Sequence, residues 1–502
     1  MLATVQHRVT SDPASAPASA ALEARDTENV PLRLDWRHPS LNAVMALVLV
    51  LVGVRIGLAP LHDNSFMTHL ATGRLILDRG SIPRVDPYSF TAYGEPWTVQ
   101  SWGASVIYGS LEKLAGLAGI RALVVLCSAA LALLAWRLTR PAVSLVARLL
   151  LGVLVLGIGA NLWAERPLLL GLLCLGAVIL AAEGDLDPRW LLPVMWFWVN
   201  VHGSFPLGLV ALGLFAVGRW FDRERPEVEL RALGWALAGT ALGALNPLGV
   251  KLLVFPLQLL QHREAFAQIA EWQPPNWQTS GEWFFAVQLV LAVGLCLLRG
   301  RRWRIALPVL VFGAASLLSV RNVAQASFIM LPGMAVCLAG LGTLDGRGRG
   351  AIWRPVGAIL VAASVLLAAI GLLTQPDTDL SDYPESAVTW MHGNGLLDLN
   401  DRVVSRDFVG NYLEARYGPE EVRVYIDDRV DMYPIEVIRD YTMLIDPDAN
   451  YQGVLTRAKA TAVLWDSDSP LGRWLERQAK SSKPSWRIVH RADDWIVAVP
   501  AV

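Results

Sequence analysis

Between residues 41 and 374 one apolar stretch follows another, too closely spaced for anything but a succession of helices. A bilayer core about 30 Å thick takes about 20 helical residues to cross, and by that measure about eleven runs qualify. They are 41–60, 119–138, 149–165, 167–183, 190–201, 204–221, 232–245, 283–299, 304–320, 325–343 and 355–374. Backbone polar groups in hydrocarbon must be satisfied within their own segment, so these runs are expected as α-helices. Only 17% of the residues are charged, where soluble domains carry roughly a quarter. The expected fold class is a polytopic α-helical membrane protein of about 11 transmembrane helices, followed by a C-terminal soluble α/β domain.

Residues 1–40 are polar and rich in Ala, Ser and Pro, the composition of a disordered cytoplasmic tail. No cleavable signal peptide is expected, because the first long apolar run begins near Leu41 and no cleavage site follows it closely. Residues 41–374 read as the membrane domain, with a large first outer loop over 61–118, and 375–502 as a separate extracytoplasmic domain. There, expected strands at 403–405, 423–426, 462–465, 487–490 and 496–499 alternate with expected helices at 408–417, 434–445, 450–459 and 469–481, the pattern of a small α/β unit with its own core. Cys127, Cys174, Cys296 and Cys337 all lie inside apolar runs and read as small core hydrophobes. A net charge of −1 argues against a nucleic-acid partner, which would call for a basic face.

Orientation follows from the cations. Arg137, Arg140 and Arg148, then Arg219, Arg223, Arg225 and Arg231, then Arg299, Arg301, Arg302 and Arg304, then Arg347, Arg349 and Arg354 fall on alternate connections. Arg33 and Arg37 join that side from the N-terminal tail, whereas the short connections opposite carry only Arg166 and Arg321. The asymmetry puts the N-terminus in the cytoplasm, and an odd helix count puts the C-terminal domain outside, as expected in the bacterial cytoplasmic (inner) membrane. Two amphipathic segments, 101–118 with Glu112 and Lys113 and 250–266 with His262 and Arg263, are placed as helices along the outer interface.

With that topology the polar residues that interrupt the apolar runs collect on one side. Asp63 follows the first run, Glu165-Arg166-Pro167 separates the third and fourth, and Asn200-Val201-His202-Gly203 ends the fifth. Asn246-Pro247 ends the seventh, Glu271-Trp272 lies in the loop after it, and Arg321-Asn322 ends the ninth. Each has a plain structural reading beside a functional one. Asp63 can be a solvated helix end, Glu165-Arg166 a self-contained ion pair, His202 a hydrogen-bonded helix terminus and Asn246-Pro247 a turn. Trp97, Trp102, Trp272 and Trp277 fit an interfacial belt as readily as a sugar platform. A charge at membrane depth costs about 2.5–3.5 kcal/mol on insertion scales, so their coincidence on one face points to a shared cavity.

The run Asp63, His69-Leu70, Gly73-Arg74, Ile76-Leu77, Gly80, Ile82-Pro83, Asp86-Pro87, Ser89-Phe90-Thr91, Gly94 and Pro96-Trp97 resembles the first outer loop of a family of bacterial membrane proteins. That family is similar to the GT-C superfamily of glycosyltransferases, which includes the protein O-mannosyltransferases and the aminoarabinose transferases of lipid A. Arg166-Pro167, Asn200 with His202-Gly203, Asn246-Pro247, Glu271-Trp272-Gln273-Pro274-Pro275 and Val424-Tyr425-Ile426-Asp427-Asp428-Arg429 extend the resemblance over most of 41–502. It implies a GT-C-like enzyme that takes sugar from a polyprenyl-phosphate carrier outside the membrane, with an acid just after the first helix. Asp63 stands at that place, and Asn64 follows where many relatives carry a second acid.

Glycosyl transfer needs a base near the acceptor and cations or oriented N–H groups at the departing phosphate. Asp63 is the expected base, since burial at the membrane boundary raises a carboxylate's basicity. Arg166 and Arg321 are expected on the phosphate, which guanidinium matches bidentately, with Arg74, His202, Glu165, Asn200, Asn246 and Glu271 as further donor-site candidates. Asp63, Asp86 and His69 are candidate ligands for a divalent cation, Mg or Mn, that would bridge the phosphate. In the C-terminal domain Asp427, Asp428, Arg429 and Asp431 follow an expected strand end, where α/β domains bind ligands, and equally make a charged turn. The partners implied are a polyprenyl-phosphate sugar, the bilayer and a protein, lipid or glycan acceptor. Two other classes stay open. One is a lipid or saccharide transporter or flippase, for which charges near the midplane and repeated halves are expected; the other is a non-catalytic scaffold in envelope assembly.

Overall fold

The computed structural model describes residues 39–259, 272–299, 302–339, 350, 352–447 and 449–501. Most of the expected tail, His262, Arg263, Glu271 and the cations Arg301, Arg347 and Arg349 lie outside the described residues. The membrane domain is a series of helices: α1 (Leu41–Gly57), α2 (Asn64–Arg79), α3 (Trp102–Leu138), α4 (Leu145–Leu162), α5 (Leu168–Ala182), α6 (Leu191–Val201) and α7 (Pro206–Phe221). It continues with α8 (Glu227–Leu242), α9 (Lys251–Leu259), α10 (Ser280–Leu298), α11 (Trp303–Leu318), α12 (Val323–Cys337) and α13 (Trp353–Thr374). A helix lies on every apolar run. Those beginning at Trp102, Leu145, Ser280 and Trp353 are long and apolar enough to cross a bilayer, and α1, α5, α7 and α11 are shorter apolar helices. The outward residues of α13, including Val365, Leu366 and Leu373, are bare aliphatic side chains, the surface a lipid-facing helix requires. The chain is a membrane protein.

Local chemistry sets where these helices begin and bend. Ser40 caps α1 by accepting from the Ala43 N–H at 3.2 Å, and Thr279 with Glu282 forms a reciprocal capping box at the start of α10. The segment expected as a separate interfacial helix over 101–118 is the first part of α3, which is interrupted at Ala115-Gly116 before continuing as the apolar run. Gly116 has φ +63°, a left-handed conformation that a side chain would disfavour. The initial segment of α3 crosses α2 where Gly73 meets Gly109, and a Cβ on Gly73 would lie 2.0 Å from the Ser105 carbonyl oxygen. That close crossing holds α2, the helix that follows Asp63, against the bundle.

The two ends of the bundle differ in charge as the arginine alternation predicts. At one end Arg304 bonds Glu183 and Glu229, each at 2.8 Å. Arg219 shares Glu229 at 2.8 Å, and Arg137 reaches Asp185 at 3.0 Å. At the other end a further buried cation lies close to the ends of α1 and α13. Arg121 is fully buried within α3. Its guanidinium donates to the Leu58 carbonyl (3.3 Å) and the Gly371 carbonyl (3.1 Å), and pairs with Asp377 at 3.2 Å. It therefore caps the C-terminal ends of α1 and α13 together, where carbonyls lack helical partners and favour a cation.

Beyond α13 come α14 (Glu385–Gly393), β1 (Val403–Val404), α15 (Asp407–Tyr417), α16 (Ile435–Ile445), α17 (Tyr451–Arg457), β2 (Ala462–Asp466), α18 (Pro470–Ala479), β3 (Trp486–Ala492) and β4 (Trp495–Pro500). The strands form one sheet in the order β1-β2-β4-β3. The β1–β2 pair is parallel and the others are antiparallel. The strand expected at 423–426 is not in this sheet. Its Val424 instead forms a single parallel bridge with Ser89 of the first outer loop, with Phe90 N–H to Val424 O and Val424 N–H to Tyr88 O both at 2.9 Å. A second bridge joins Leu61 to Thr378. The loop and the C-terminal domain are thus stitched main chain to main chain.

Arg121→Met keeps the packing volume but leaves the α1 and α13 carbonyls without their donor, a loss on the order of 3 kcal/mol. It should lower the thermal unfolding midpoint in detergent, and an unchanged midpoint would remove this staple from the fold.

Candidate active site

A cavity of about 230 Å³ opens between the cation-poor end of the bundle and the C-terminal domain. One wall comes from α2 and the loop that follows it, through Asn64, Ser65, Thr68, His69, Thr72 and residues 97–101. A second comes from helix ends and connections, through Arg166, His202, Trp272 and Arg321. The third is acidic and belongs to the C-terminal domain: Asp407, Asp428 and Asp431, with Arg429 between the last two. Four of the interruptions separated by long stretches of sequence, at residues 166, 202, 272 and 321, meet here.

Asp63 is buried and N-caps α2, its Oδ1 accepting from the Ser65 N–H at 3.0 Å. Its Oδ2 accepts from Arg166 Nε. Arg166 Nε goes to Asp63, and Glu165 is engaged by the backbone that starts α2, so the two are not a self-contained ion pair. Glu165 Oε1 accepts the Asp63 N–H at 2.6 Å and the His62 N–H, a carboxylate at the positive end of α2. Burial pushes the Glu165 carboxyl above the usual range, with repulsion from Asp63 adding to it and hydrogen bonds from the backbone opposing it. Arg321 lies over the Trp272 ring at 4.9 Å, so this tryptophan holds a cation at the cavity wall.

The two histidines are uncharged. Burial, then repulsion from Arg321, His69 and Arg166, lowers His202 to about 3. Burial and Arg166 lower His69 to about 4. His202 Nδ1 accepts from the Ser204 N–H at 3.2 Å, which leaves the ring proton on Nε2 as a donor. His69 Nδ1 is 3.1 Å from Ser105 Oγ.

Other expected site residues have structural work. Arg74 binds Glu112 and the Ala415 carbonyl, tying α2 to α3 and α15. Asn200 accepts from Trp102 Nε1 at 2.9 Å and donates to the Trp196 carbonyl at 2.7 Å. Asn246 closes its own turn, accepting from the Leu248 N–H at 2.6 Å. The proposed cation ligands do not converge. Asp63 is engaged by Arg166, His69 is beside Ser105, and Asp86 is taken up by the Ser89 N–H (2.9 Å), the Ser89 hydroxyl (2.6 Å) and Arg429 (2.8 Å). Among the described residues no group of three or more His, Cys, Asp or Glu side chains is arranged to hold a metal ion.

Sequence reasoning left the C-terminal turn undecided between ligand site and charged turn, and it is both wall and anchor. Arg429 pairs with Asp86 of the loop, with Asp427 (Nε to Oδ1, 2.9 Å) and with Glu414 (3.4 Å). It also lies over the rings of Trp97 (4.4 Å) and Tyr88 (4.8 Å). Asn411 Oδ1 accepts from Thr68 Oγ1 at 2.9 Å and from the Asp428 N–H at 3.1 Å, linking α2, α15 and the turn. Burial, then Asp427 and Asp63, raises Asp428 to about 8, with Arg166 opposing the shift.

The helical bundle and C-terminal domain that enclose this cavity have a counterpart in fold among solved structures. The chain is similar to the oligosaccharyltransferase AglB of the archaeon Archaeoglobus fulgidus, a GT-C superfamily member, in complex with an inhibitory peptide and a dolichol-phosphate. The identity is 12%, covering 88% of this chain and 71% of that one, with a TM-score of 0.50. The apo form of the Archaeoglobus fulgidus oligosaccharyltransferase matches at 12% identity over 86% of this chain and 71% of that one, also with a TM-score of 0.50. No protein-family profile matches the sequence, and no curated protein is similar to it.

Because His202 and His69 bind protons less readily folded than unfolded, the unfolded chain takes up more protons on them between about pH 4 and 6.5, and their contribution to stability falls as pH drops through that window. Asp428 and Glu165, whose carboxyls are raised, contribute in the opposite sense over the same range, so the histidine contribution is read as the difference in unfolding midpoint between the wild type and His202→Gln in detergent. The midpoint of the wild type relative to His202→Gln should fall on going from pH 7 to pH 5; a difference independent of pH would mean that His202 does not contribute.

Proposed function

We propose that the chain is a GT-C glycosyltransferase of the bacterial inner membrane. It spans the bilayer about eleven times, keeps its N-terminus in the cytoplasm, and moves a sugar from a polyprenyl-phosphate donor to an acceptor at the extracytoplasmic face. One observation carries the reading: Arg166 and Arg321, the two cations of the short outer connections, line a single cavity together with two uncharged histidines. Two guanidinium groups supply the bidentate, permanent positive charge that a departing phosphate needs. The Nε2–H of His202 supplies a neutral donor beside them. The dolichol-phosphate bound by AglB is a ligand of the same chemistry, which favours a lipid-linked donor here.

Transfer also requires that the acceptor's proton pass to a carboxylate. The resemblance names Asp63, which grips Arg166, and Asp428 is a carboxylate on the cavity wall within electrostatic reach of the same guanidinium. Transport is less well supported, because the polar residues meet at one end of the bundle and not along a path through it.

Arg166→Ala and Arg321→Ala should each weaken binding of undecaprenyl phosphate to the purified protein, roughly 10–100-fold, with membrane insertion unchanged. Inner membranes containing the protein should consume labelled polyprenyl-phosphoryl sugar with covalent transfer to an acceptor. Uptake into sealed vesicles with no covalent product would overturn the enzyme in favour of a flippase.

A further inference from the structure

We propose that Asp428, supplied by the C-terminal domain, is the base that takes the acceptor's proton, and that Asp63 is a positioning residue that holds Arg166 at the phosphate. The inference rests on the glycosyl-transfer reading and divides the work between two carboxylates that the sequence alone does not separate.

Geometry distinguishes them. Both oxygens of Asp63 are occupied, Oδ1 by the Ser65 N–H and Oδ2 by Arg166 Nε. The side chain sits behind Arg166 and is not among the residues that line the cavity. Asp428 does line it. Among the described residues, the hydrogen bond that Asp428 makes is through its main-chain N–H, to Asn411, so its carboxylate oxygens remain available to a ligand. Its position is nonetheless fixed. Asn411 grips it from one side, and the next residue, Arg429, is locked among Asp86, Asp427 and Glu414. A base must be both reachable by the acceptor and held still, and Asp428 meets both requirements.

The surroundings suit the role. Asp427 and Asp407 of the C-terminal domain and Asp63 of the α2 start repel a charge on Asp428, Arg166 attracts it, and Tyr383 lies within electrostatic reach. With burial, these neighbours hold the carboxyl at about 8, which makes its ionised form a far stronger base than an ordinary aspartate. A phosphate bound on Arg166 offsets that cation's opposing pull and strengthens the base further. In the step itself the acceptor's oxygen or nitrogen forms a bond to the anomeric carbon and the bond from that carbon to the phosphate oxygen breaks. The electron pair leaves on the phosphate beside Arg166 and Arg321, and the acceptor's proton moves to Asp428.

The test uses the full-length protein in inner membranes with polyprenyl-phosphoryl mannose, glucose and arabinose in turn, measuring release of polyprenyl phosphate, and undecaprenyl phosphate binding on the purified protein. Asp428→Asn should cut the release rate on the order of 10²–10⁴-fold while leaving undecaprenyl phosphate binding intact, which also shows the variant folded. The wild-type rate should climb with pH through about 8, the direction expected when the ionised carboxyl is the active form, and that limb should vanish in Asp428→Asn and persist in Asp428→Glu. Asp63→Asn should weaken undecaprenyl phosphate binding and keep the limb. Wild-type release by Asp428→Asn, or loss of the limb in Asp63→Asn, would overturn the assignment while leaving glycosyl transfer standing. A wild-type protein that transfers none of these sugars would overturn the glycosyl-transfer reading, and this inference with it.

Discussion

Arg429 is the interaction on which the cavity depends. It is a buried guanidinium shared by a carboxylate of the first outer loop, Asp86, and two of the C-terminal domain, Asp427 and Glu414. Burying an ion costs several kcal/mol after relaxation, and only close, well-oriented partners offset it. One cation cannot balance three buried anions. Burial and the neighbouring Asp427 hold Glu414 well above the ordinary carboxylate range, so it keeps its proton. Asp427 loses its proton: burial works against it, but the Arg429 charge and the hydrogen bonds from Arg429, Glu414 and Tyr433 outweigh that. Pulling the loop away from the domain would strand these charges. The acidic wall therefore stays attached to the first outer loop, although Asp86 and Arg429 lie more than 300 residues apart in the chain.

The two ends of the bundle use charge differently. At the cation-rich end, Arg219, Arg304 and the glutamates between them neutralise one another in a compact network that ties together the ends of α5, α7, α8 and α11. At the cation-poor end, Arg121 is spent on helix carbonyls deep in the fold. Arg166 and Arg321 are turned toward the cavity. The same residue type thus serves three physical tasks, distinguished by what lies within reach of the guanidinium.

Much of this was legible in the sequence because hydrophobic run length is a local property. The helices of the membrane domain lie where the runs are, and the alternation of arginines foretells the charge difference between the ends. What local patterns missed was long-range pairing. The stretch 423–426 looks like a sheet strand by composition, but its main chain pairs with Ser89, more than 300 residues earlier. Asp86 looks like a cation ligand until its partner Arg429 is known. Arg121 hides at the start of an apolar run, where neither run length nor the charges of the connections reveal it. For Asn246 the plain reading, a turn, is the structure's own. For Glu165-Arg166 the adjacent charges suggest a pair in sequence, but Glu165 accepts the Asp63 N–H and Arg166 Nε donates to the Asp63 carboxylate. The Asp427-Asp428-Arg429 turn carried a usable signal, three charges directly after an apolar stretch, but nothing local to say which of them points into a cavity.

Alternation of partner and vacancy along that turn is what gives adjacent acids different chemistry. Asp427 faces inward and meets Arg429 and the Tyr433 hydroxyl at 2.6 Å, so it is a structural anion. Asp428 is turned to the other side by the same backbone, toward Asp63 and Arg166, with like charges as its strongest electrostatic neighbours. The first is stabilised as a charge and the second is held near the point of taking one up. An enzyme that must accept a proton at neutral pH needs the second kind of carboxylate, and it needs the first kind beside it to keep the backbone from relaxing. In this molecule the anchor and the candidate base are consecutive residues, so the rigidity of one is passed directly to the other.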